Sequence, residues 1–437
     1  MASQACAKKV IESRRPQRIS IATIGSLGDL HPCLALALEL QRRGHSPTIA
    51  STEFYRARVQ ELQLPFLPIR PNWDPTDREI IRQCEDLKRG PEVLYRKLLL
   101  PELRGTYADL TAAAAGADLL IAGELVYAAP LVAEKLKLPW VSAILSPFSF
   151  FSSHDPSLMV NAPWLIHLRK LGWPTYKLGL NVGRLATRHW SNPVRQLRRE
   201  EGLRTKCDPV FRDKFSPHLV LALFSRLLAP PQSDWPVQTL QPGFVYLDGN
   251  FDHAKRTAPI AALKEFLASG DAPIAFTQGS TAVHNPGDFY KISMEAAKRL
   301  GCRAVLVGAN TSDLPERSSD SLALSYIPYQ ELFPNAAVTV HQGGSGTTGQ
   351  AMQAGRPTLI VPYGWDQPDN ASRVERLGSG LHLPRSRYSV DTAVAALERL
   401  LGQPRFAQRA LEVDHELQKE DGLNGACDAI ESVLARS

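Results

Sequence analysis

Apolar and polar positions along this chain switch repeatedly between a strand period and a helix period. Residues 18–24, RISIATI, read as a short buried strand, and the segment HPCLALALELQRRG carries apolar residues at helical spacing with Gly44 as its stop. Residues 46–50 form the next apolar run. Strands at 64–67, 119–122, 140–145 and 217–224 repeat the theme, with helices between them, including 128–136. A second series starts at Pro273 with PIAFTQGST. It continues through a helix at 287–300, strands at 303–308, 322–326 and 336–340, a helix ending at Ala354 and a strand at 358–361. Helices at 391–401, 404–420 and 423–436 follow. Short apolar strands alternating with helices predict an α/β chain with parallel sheets. Two separate series predict two such domains, 18–230 and 261–420, facing each other across a cleft. The stretch 231–260, rich in Pro, Gly and Asp, is expected as the linker, and 1–17 as a flexible arm.

The pattern breaks between 147 and 195 into aromatic, proline and basic residues. This segment is either the core of an inserted helical pair or the wall of an apolar pocket, and the two are compatible; Phe148, Phe151, Met159 and Trp164 are its candidate acceptor-facing residues. The βαβ opening at 18–50 is Rossmann-like. Its turn, Gly25-Ser26-Leu27-Gly28-Asp29, lacks G-x-G-x-x-G, which disfavours a dinucleotide.

The most informative stretch is VTVHQGGSGTTGQAMQAGRPTLIVPYGWDQPDNA. An apolar strand ends at His341, and Gly343, Gly344, Ser345, Gly346 and Thr347 lead into a helix that Gly355 stops; Pro357 opens the next strand. Such a turn aims backbone N–H groups and a positive helix end at one point, where they favour an anion. Glycines let a diphosphate approach the backbone, and His341 can add a donor. Beyond the second strand, Trp365, Asp366 and Gln367 offer an apolar face and directed polar groups suited to a polyhydroxylated ring. The plainer reading is a βαβ unit with a polar loop. A phosphate cradle and a sugar clamp on consecutive strand ends favour a nucleotide-sugar site.

These residues resemble the donor-binding signature of the family 1 inverting glycosyltransferases of the GT-B fold, closest to the bacterial branch of rhamnosyltransferases and of sterol and antibiotic glycosyltransferases. The resemblance covers most of the chain and is strongest at 18–52 and 320–372. It implies a GT-B fold of two Rossmann-like domains, with a last helix (421–437) crossing back onto the N-terminal domain. The family's base falls on Asp29 in Gly28-Asp29-Leu30-His31-Pro32, with a helix N-cap as the alternative reading of Asp29 and His31 as the runner-up base. Glu124, after a later strand, is the candidate acidic partner or else a solvent-exposed loop carboxylate. Gly279 and Ser280 match a second phosphate-touching turn, though Ser280 could equally cap the following helix. Tyr326 and Ile327 fall where the family stacks the nucleobase, with buried packing as the alternative for Tyr326. The ribose-gripping glutamate of plant relatives is replaced by Gly349, which leaves UDP and dTDP both open and allows a deoxyribose donor.

Composition adds little. The chain is 44% hydrophobic and 22% charged, and its 50 Lys and Arg against 44 Asp and Glu give +6, a mild excess without a nucleic-acid motif. That balance fits an anionic nucleotide or a transient visit to an anionic membrane. Six scattered cysteines, no signal-like start and no long apolar run lead to the expectation of a soluble, cytoplasmic protein, at most peripheral to a membrane, a monomer or weak dimer. No D-x-D motif sits at a strand end, so neither a metal nor any other cofactor is expected beyond the nucleotide-sugar co-substrate. The expected activity is inverting transfer of glucose or rhamnose from a UDP- or dTDP-sugar to a hydroxyl of an apolar acceptor, phenolic or flavonoid-like. Alternatives are a hydroxy-fatty-acid or sterol acceptor, a non-catalytic partner subunit that binds the nucleotide sugar, or an epimerase acting on it.

Overall fold

The computed structural model describes residues 15–159, 162, 164–247, 253–308 and 318–436. Most of the expected arm, residues 1–14, and residues 248–252 of the expected linker lie outside the described residues. The first sheet contains β1 (Arg18–Ala22), β2 (Ser46–Ser51), β3 (Phe66–Pro68), β4 (Leu119–Gly123), β5 (Trp140–Ile144), β6 (Leu219–Ala222) and β7 (Thr239–Leu240). They pair in parallel in the order β3-β2-β1-β4-β5-β6-β7. The second sheet contains β8 (Ile274–Thr277), β9 (Ala304–Val307), β10 (Ser321–Leu324), β11 (Val338–His341), β12 (Thr358–Ile360) and β13 (Gly380–His382), again all parallel, in the order β10-β9-β8-β11-β12-β13. Helices cover both faces of such sheets, which is why the inner strands are continuous apolar runs. This is the α/β, GT-B arrangement of two parallel-sheet units.

Each sheet reverses its strand order once, between β1 and β4 and between β8 and β11. At these points the connections leave toward opposite sides, and a crevice opens at the carboxyl ends of the strands. Asp29 and Glu124 follow the strands of the first switch point; Gly279 and the glycine turn follow those of the second.

Several elements differ from the reading of the sequence. The short strand β13 and the helices Asn192–Glu200 and His253–Ala268 were not expected. Three residues are too few to show a period, and Pro259 lies inside the last of these helices. The expected linker is not plain loop: β7 adds to the first sheet, and His253–Ala268 begins within it. The segment 147–195 does fold as a helical pair, Trp164–Leu168 and Trp173–Thr187.

Among the described residues, several contacts fasten the two halves, and three of them bear on the cleft. The last helix, Gly422–Leu434, lies against the first helix, Leu27–Arg42, and buries Ala426, Cys427, Ile430 and Val433 in the core of the first sheet. Arg43 anchors it, reaching Glu39 at 2.7 Å, Asp428 at 2.6 Å and Glu431 at 2.9 Å. Over the cleft, buried Arg373 joins Asp369 (2.8 Å) to Asp155 in the other half, and Asp369 also accepts the Leu158 N–H at 2.7 Å. Glu85, buried on the first half, accepts from Asn285 at 3.1 Å and faces Arg385. If the last helix is part of the N-terminal core, Ile430→Ala should cost about 2–5 kcal/mol, the usual range for such truncations. Urea unfolding followed by tryptophan fluorescence measures it, and an unchanged midpoint would mean that the helix is only laid on the surface.

Candidate functional site

Between the two switch points lies a cavity of about 1380 Å³, lined from both halves. That exceeds the usual few hundred to 1,000 Å³ of a small-molecule pocket and leaves room for two substrates side by side.

On the first wall, the helix Leu27–Arg42 starts in a capping box. Ser26 is the N-cap, and Asp29, three residues on, returns its carboxylate to the Ser26 N–H (2.8 Å) and hydroxyl (3.1 Å). Asp29 is therefore the reciprocal partner of the cap rather than the cap itself. Gly25 makes this possible: its φ is +136°, and a Cβ there would stand 2.3 Å from Asp29 Oδ2. Only Oδ2 is used; Oδ1 has no partner among the described residues, and Asp29 lines the cavity. Burial raises its pKa to about 7 against the Ser26 hydrogen bonds, with help from the charges of Glu124 and Asp366.

His31 also lines the cavity, but burial and then Arg58 lower its pKa to about 3, and Arg58 lies 3.2 Å from its Nε2. Glu124 is not a solvent-exposed loop carboxylate. It is partly buried at the end of β4 and pairs with Lys214 Nζ at 3.3 Å. Lys214, buried and facing the Phe151 and Phe215 rings at 5.0 and 5.3 Å, was missed in the sequence, since it stands 90 positions from Glu124 with no motif around it.

On the second wall, the helix Ser345–Gln353 starts at Gly344, and Gly344, Ser345, Gly346 and Thr347 all line the cavity. Its first N–H groups have no carbonyl partner within the helix, and its positive end favours an anion. Asp366 braces this turn: one carboxylate oxygen, Oδ2, accepts from Ser345 Oγ and from Asn370 Nδ2, each at 2.9 Å. Burial raises the Asp366 pKa to about 6, partly offset by those bonds. Gly279, Ser280, Tyr326 and Ile327 line the same wall. Ser280 is not a helix cap, because the following helix, Phe289–Arg299, has Asp288 at that position. Tyr326 is 43% exposed to the cavity, so buried packing is not its role; Ile327 is core.

Three of the expected residues are placed differently from the roles expected of them. His341 does not reach the cavity wall. It is fully buried under the turn, where its Nδ1 accepts the Gly343 N–H at 3.0 Å. Burial lowers its pKa to about 3, so the neutral ring carries its proton on Nε2, and Nε2 has no partner among the described residues. Gly343 likewise lies beneath the wall: at φ +94° its Cβ would meet Ile360 at 2.7 Å. Gln367 spends its carbonyl oxygen on its own loop, accepting from Tyr363 N (2.8 Å) and Gly364 N (3.2 Å), so only its amide nitrogen is left for a ligand. Beside it, Trp365 lines the cavity in a left-handed conformation, φ +61°, a strain that clusters at binding sites.

Phe148, Phe151, Met159 and Trp164 all line the cavity, so 147–195 is pocket wall as well as helical pair. At Gly349 an added Cβ would lie 2.4 Å from the Tyr246 hydroxyl and 2.9 Å from the Phe244 ring. A side chain at Gly349 would therefore meet Tyr246, another cavity residue not named from the sequence.

Comparison with known proteins agrees with this geometry. Residues 19–150 match the glycosyltransferase family 28 N-terminal domain, and 305–421 the erythromycin biosynthesis protein CIII-like C-terminal domain. The chain is 28% identical to O-mycaminosyltylonolide 6-deoxyallosyltransferase of Streptomyces fradiae, over 95% of this chain and 97% of that protein. It is 29% identical to a sterol 3-beta-glucosyltransferase of Aspergillus fumigatus over 94% of this chain, but spans only 29% of that longer protein. Among solved structures, the glycosyltransferase of kitacinnamycin aligns with TM-score 0.68 at 23% identity, covering 96% of this chain and all of that one. The spinosyn rhamnosyltransferase complexed with thymidine diphosphate aligns with TM-score 0.67 at 17% identity, over 95% of this chain and 100% of that one.

The carboxyl assignment is testable without substrate. In carbon-13 NMR the Asp29 carboxyl should titrate near pH 7, and Glu124→Gln should move that midpoint downward, because a neighbouring negative charge no longer opposes ionisation. A midpoint near 4 in the unaltered protein would contradict the geometry. With one half of the family 28 type, the other of the erythromycin CIII type, and a cavity between their switch points, the chain is a glycosyltransferase of the GT-B fold.

Proposed function

We propose that this enzyme moves a hexosyl group from a dTDP- or UDP-sugar to a hydroxyl of an apolar acceptor, by a single displacement with inversion. The observation that carries the reading is the continuous cavity joining Asp29 on one wall to the open first turn of Ser345–Gln353 on the other. The diphosphate sits at that helix start, where N–H groups and the helix end balance its charge. The sugar lies against Trp365 and Asp366. Tyr326 gives the nucleobase a face.

As the acceptor oxygen bonds to the anomeric carbon, its proton passes to Asp29 Oδ1, and the bond to the diphosphate oxygen breaks with its electron pair leaving on the diphosphate. A carboxylate with pKa about 7 is much better matched to this task at neutral pH than an ordinary aspartate. An acidic phenol is then not required, and alkyl hydroxyls on large apolar scaffolds become suitable, as the names of the macrolide and sterol relatives suggest. His31, with pKa about 3 and Arg58 beside Nε2, is a poor base by comparison. Since Tyr246 fills the space at Gly349, no carboxylate there asks for a ribose 2′-hydroxyl, which supports a dTDP-linked donor. The charge balance is met without a metal, and we keep that reading as part of the proposal.

Asp29→Asn should lower kcat roughly 10²–10⁴-fold, typical of general-base loss, with dTDP affinity near that of the unaltered enzyme. In the unaltered enzyme kcat/KM should rise with pH through about 7, as Asp29 loses its proton, and this limb should vanish in the variant. Activity retained in Asp29→Asn but lost in His31→Ala would move the base to His31, and a product of retained configuration would defeat both. His341→Ala removes the acceptor of the Gly343 N–H beneath the helix start, so it should loosen the turn and lower dTDP affinity together with turnover. Unaltered turnover in that variant would separate His341 from the leaving group.

A further inference from the structure

The helical pair Trp164–Leu168 and Trp173–Thr187 has a second face, which meets the cavity at Leu185. Leu178, Val182 and Leu185 recur at helical spacing on one side of the longer helix, and Leu171 and Trp173 continue the strip at its start. These five are 48–69% exposed. The opposite side of the same helix holds Tyr176 and Gly179, buried; a Cβ on Gly179 would stand 2.6 Å from Leu165, so the two helices are pressed together. Leu171, Trp173, Leu178 and Val182 do not line the cavity, whereas Leu180, Leu185 and Trp164 do, so the strip lies beside the cavity mouth.

Charge decides what covers it. Residues 156–199 contain no Asp or Glu. Arg169, Lys170, Lys177 and Arg188, the last at the cavity edge, flank the strip, exposed and without an ion pair to any described residue; Arg184 is paired with Asp208. A second copy meeting this face about a two-fold axis would set these cations against themselves. An apolar strip edged by lysine and arginine, with a tryptophan at its end, is the pattern of a helix that lies in the plane of a bilayer surface. No helix among the described residues is long and apolar enough to cross a membrane.

We propose that this face docks the enzyme on an anionic lipid surface, with Leu171, Trp173, Leu178 and Val182 entering the acyl boundary and the four cations meeting lipid phosphates. The cavity mouth is then held at the lipid interface, where an apolar acceptor is concentrated. The docking does not depend on the choice of base or donor, so its failure would leave the catalytic reading untouched.

The test is sedimentation of the full chain with vesicles of equimolar phosphatidylcholine and phosphatidylglycerol, against pure phosphatidylcholine. The unaltered enzyme should partition to the anionic vesicles and be released by salt. L178Q/V182Q, and separately K170E/K177E, should each lower that partition about 10-fold or more, while transfer to a water-soluble acceptor without vesicles stays unchanged. The charge pair keeps the test valid should the apolar pair misfold. An enzyme that stays in the supernatant, or binding equal in both variants, overturns the proposal. So does light scattering that shows a dimer which L178Q/V182Q dissolves, since the strip would then be a self-contact.

Discussion

Arg373 is the interaction on which the site depends. A guanidinium withdrawn from water is tolerable only between carboxylates, and here it has one from each half of the molecule, Asp369 and Asp155. The helix that carries it, Gln367–Leu377, begins at Asp366, which braces the glycine turn through Ser345. The loop that receives it leads from the aromatic wall at Phe148 and Phe151. One strut therefore fixes the distance between the anion-binding turn and the apolar wall. Removing one partner would strand a charge, and both walls would feel it.

Three carboxylates share the cleft that this strut holds open. Asp29 is pushed up by burial and by the charges of Glu124 and Asp366, Asp366 by burial and by Glu124, and Glu124 is paired with Lys214. The arrangement divides labour by partner. Glu124 has a cation beside it, Lys214 at 3.3 Å. The two held only by neutral donors are the ones whose protonation can change near neutral pH. An incoming diphosphate adds negative charge and pushes them in the same direction.

Much of this was legible in the residues. Strand ends that run into small-residue turns marked both switch points, and Gly28-Asp29-Leu30-His31-Pro32 marked the carboxylate on the first. What was not legible has physical causes. Lys214 meets Glu124 only through the fold, since nothing local couples positions 90 apart. The strand β11 is buried on both faces, so no alternation told whether His341 faced the cavity or the core. Gln367 was named correctly as a residue of the site, but a sequence does not show which end of an amide its own backbone has claimed. The strand β13 and the helix His253–Ala268 are set by tertiary packing that overrides weak local preference.

The last helix has a consequence for how the chain is made. Ala426, Cys427, Ile430 and Val433 complete the apolar core beneath β1, whose residues leave the ribosome well before theirs. The amino-terminal half therefore waits, with part of its core open to water, until the carboxy-terminal half has been synthesised and has begun to fold. Its final closure is a late, long-range step, and the interval exposes the apolar face of Leu27–Arg42 to wrong partners. The order of synthesis and the order of completion are opposed in this molecule, and the half made first is the last to be finished.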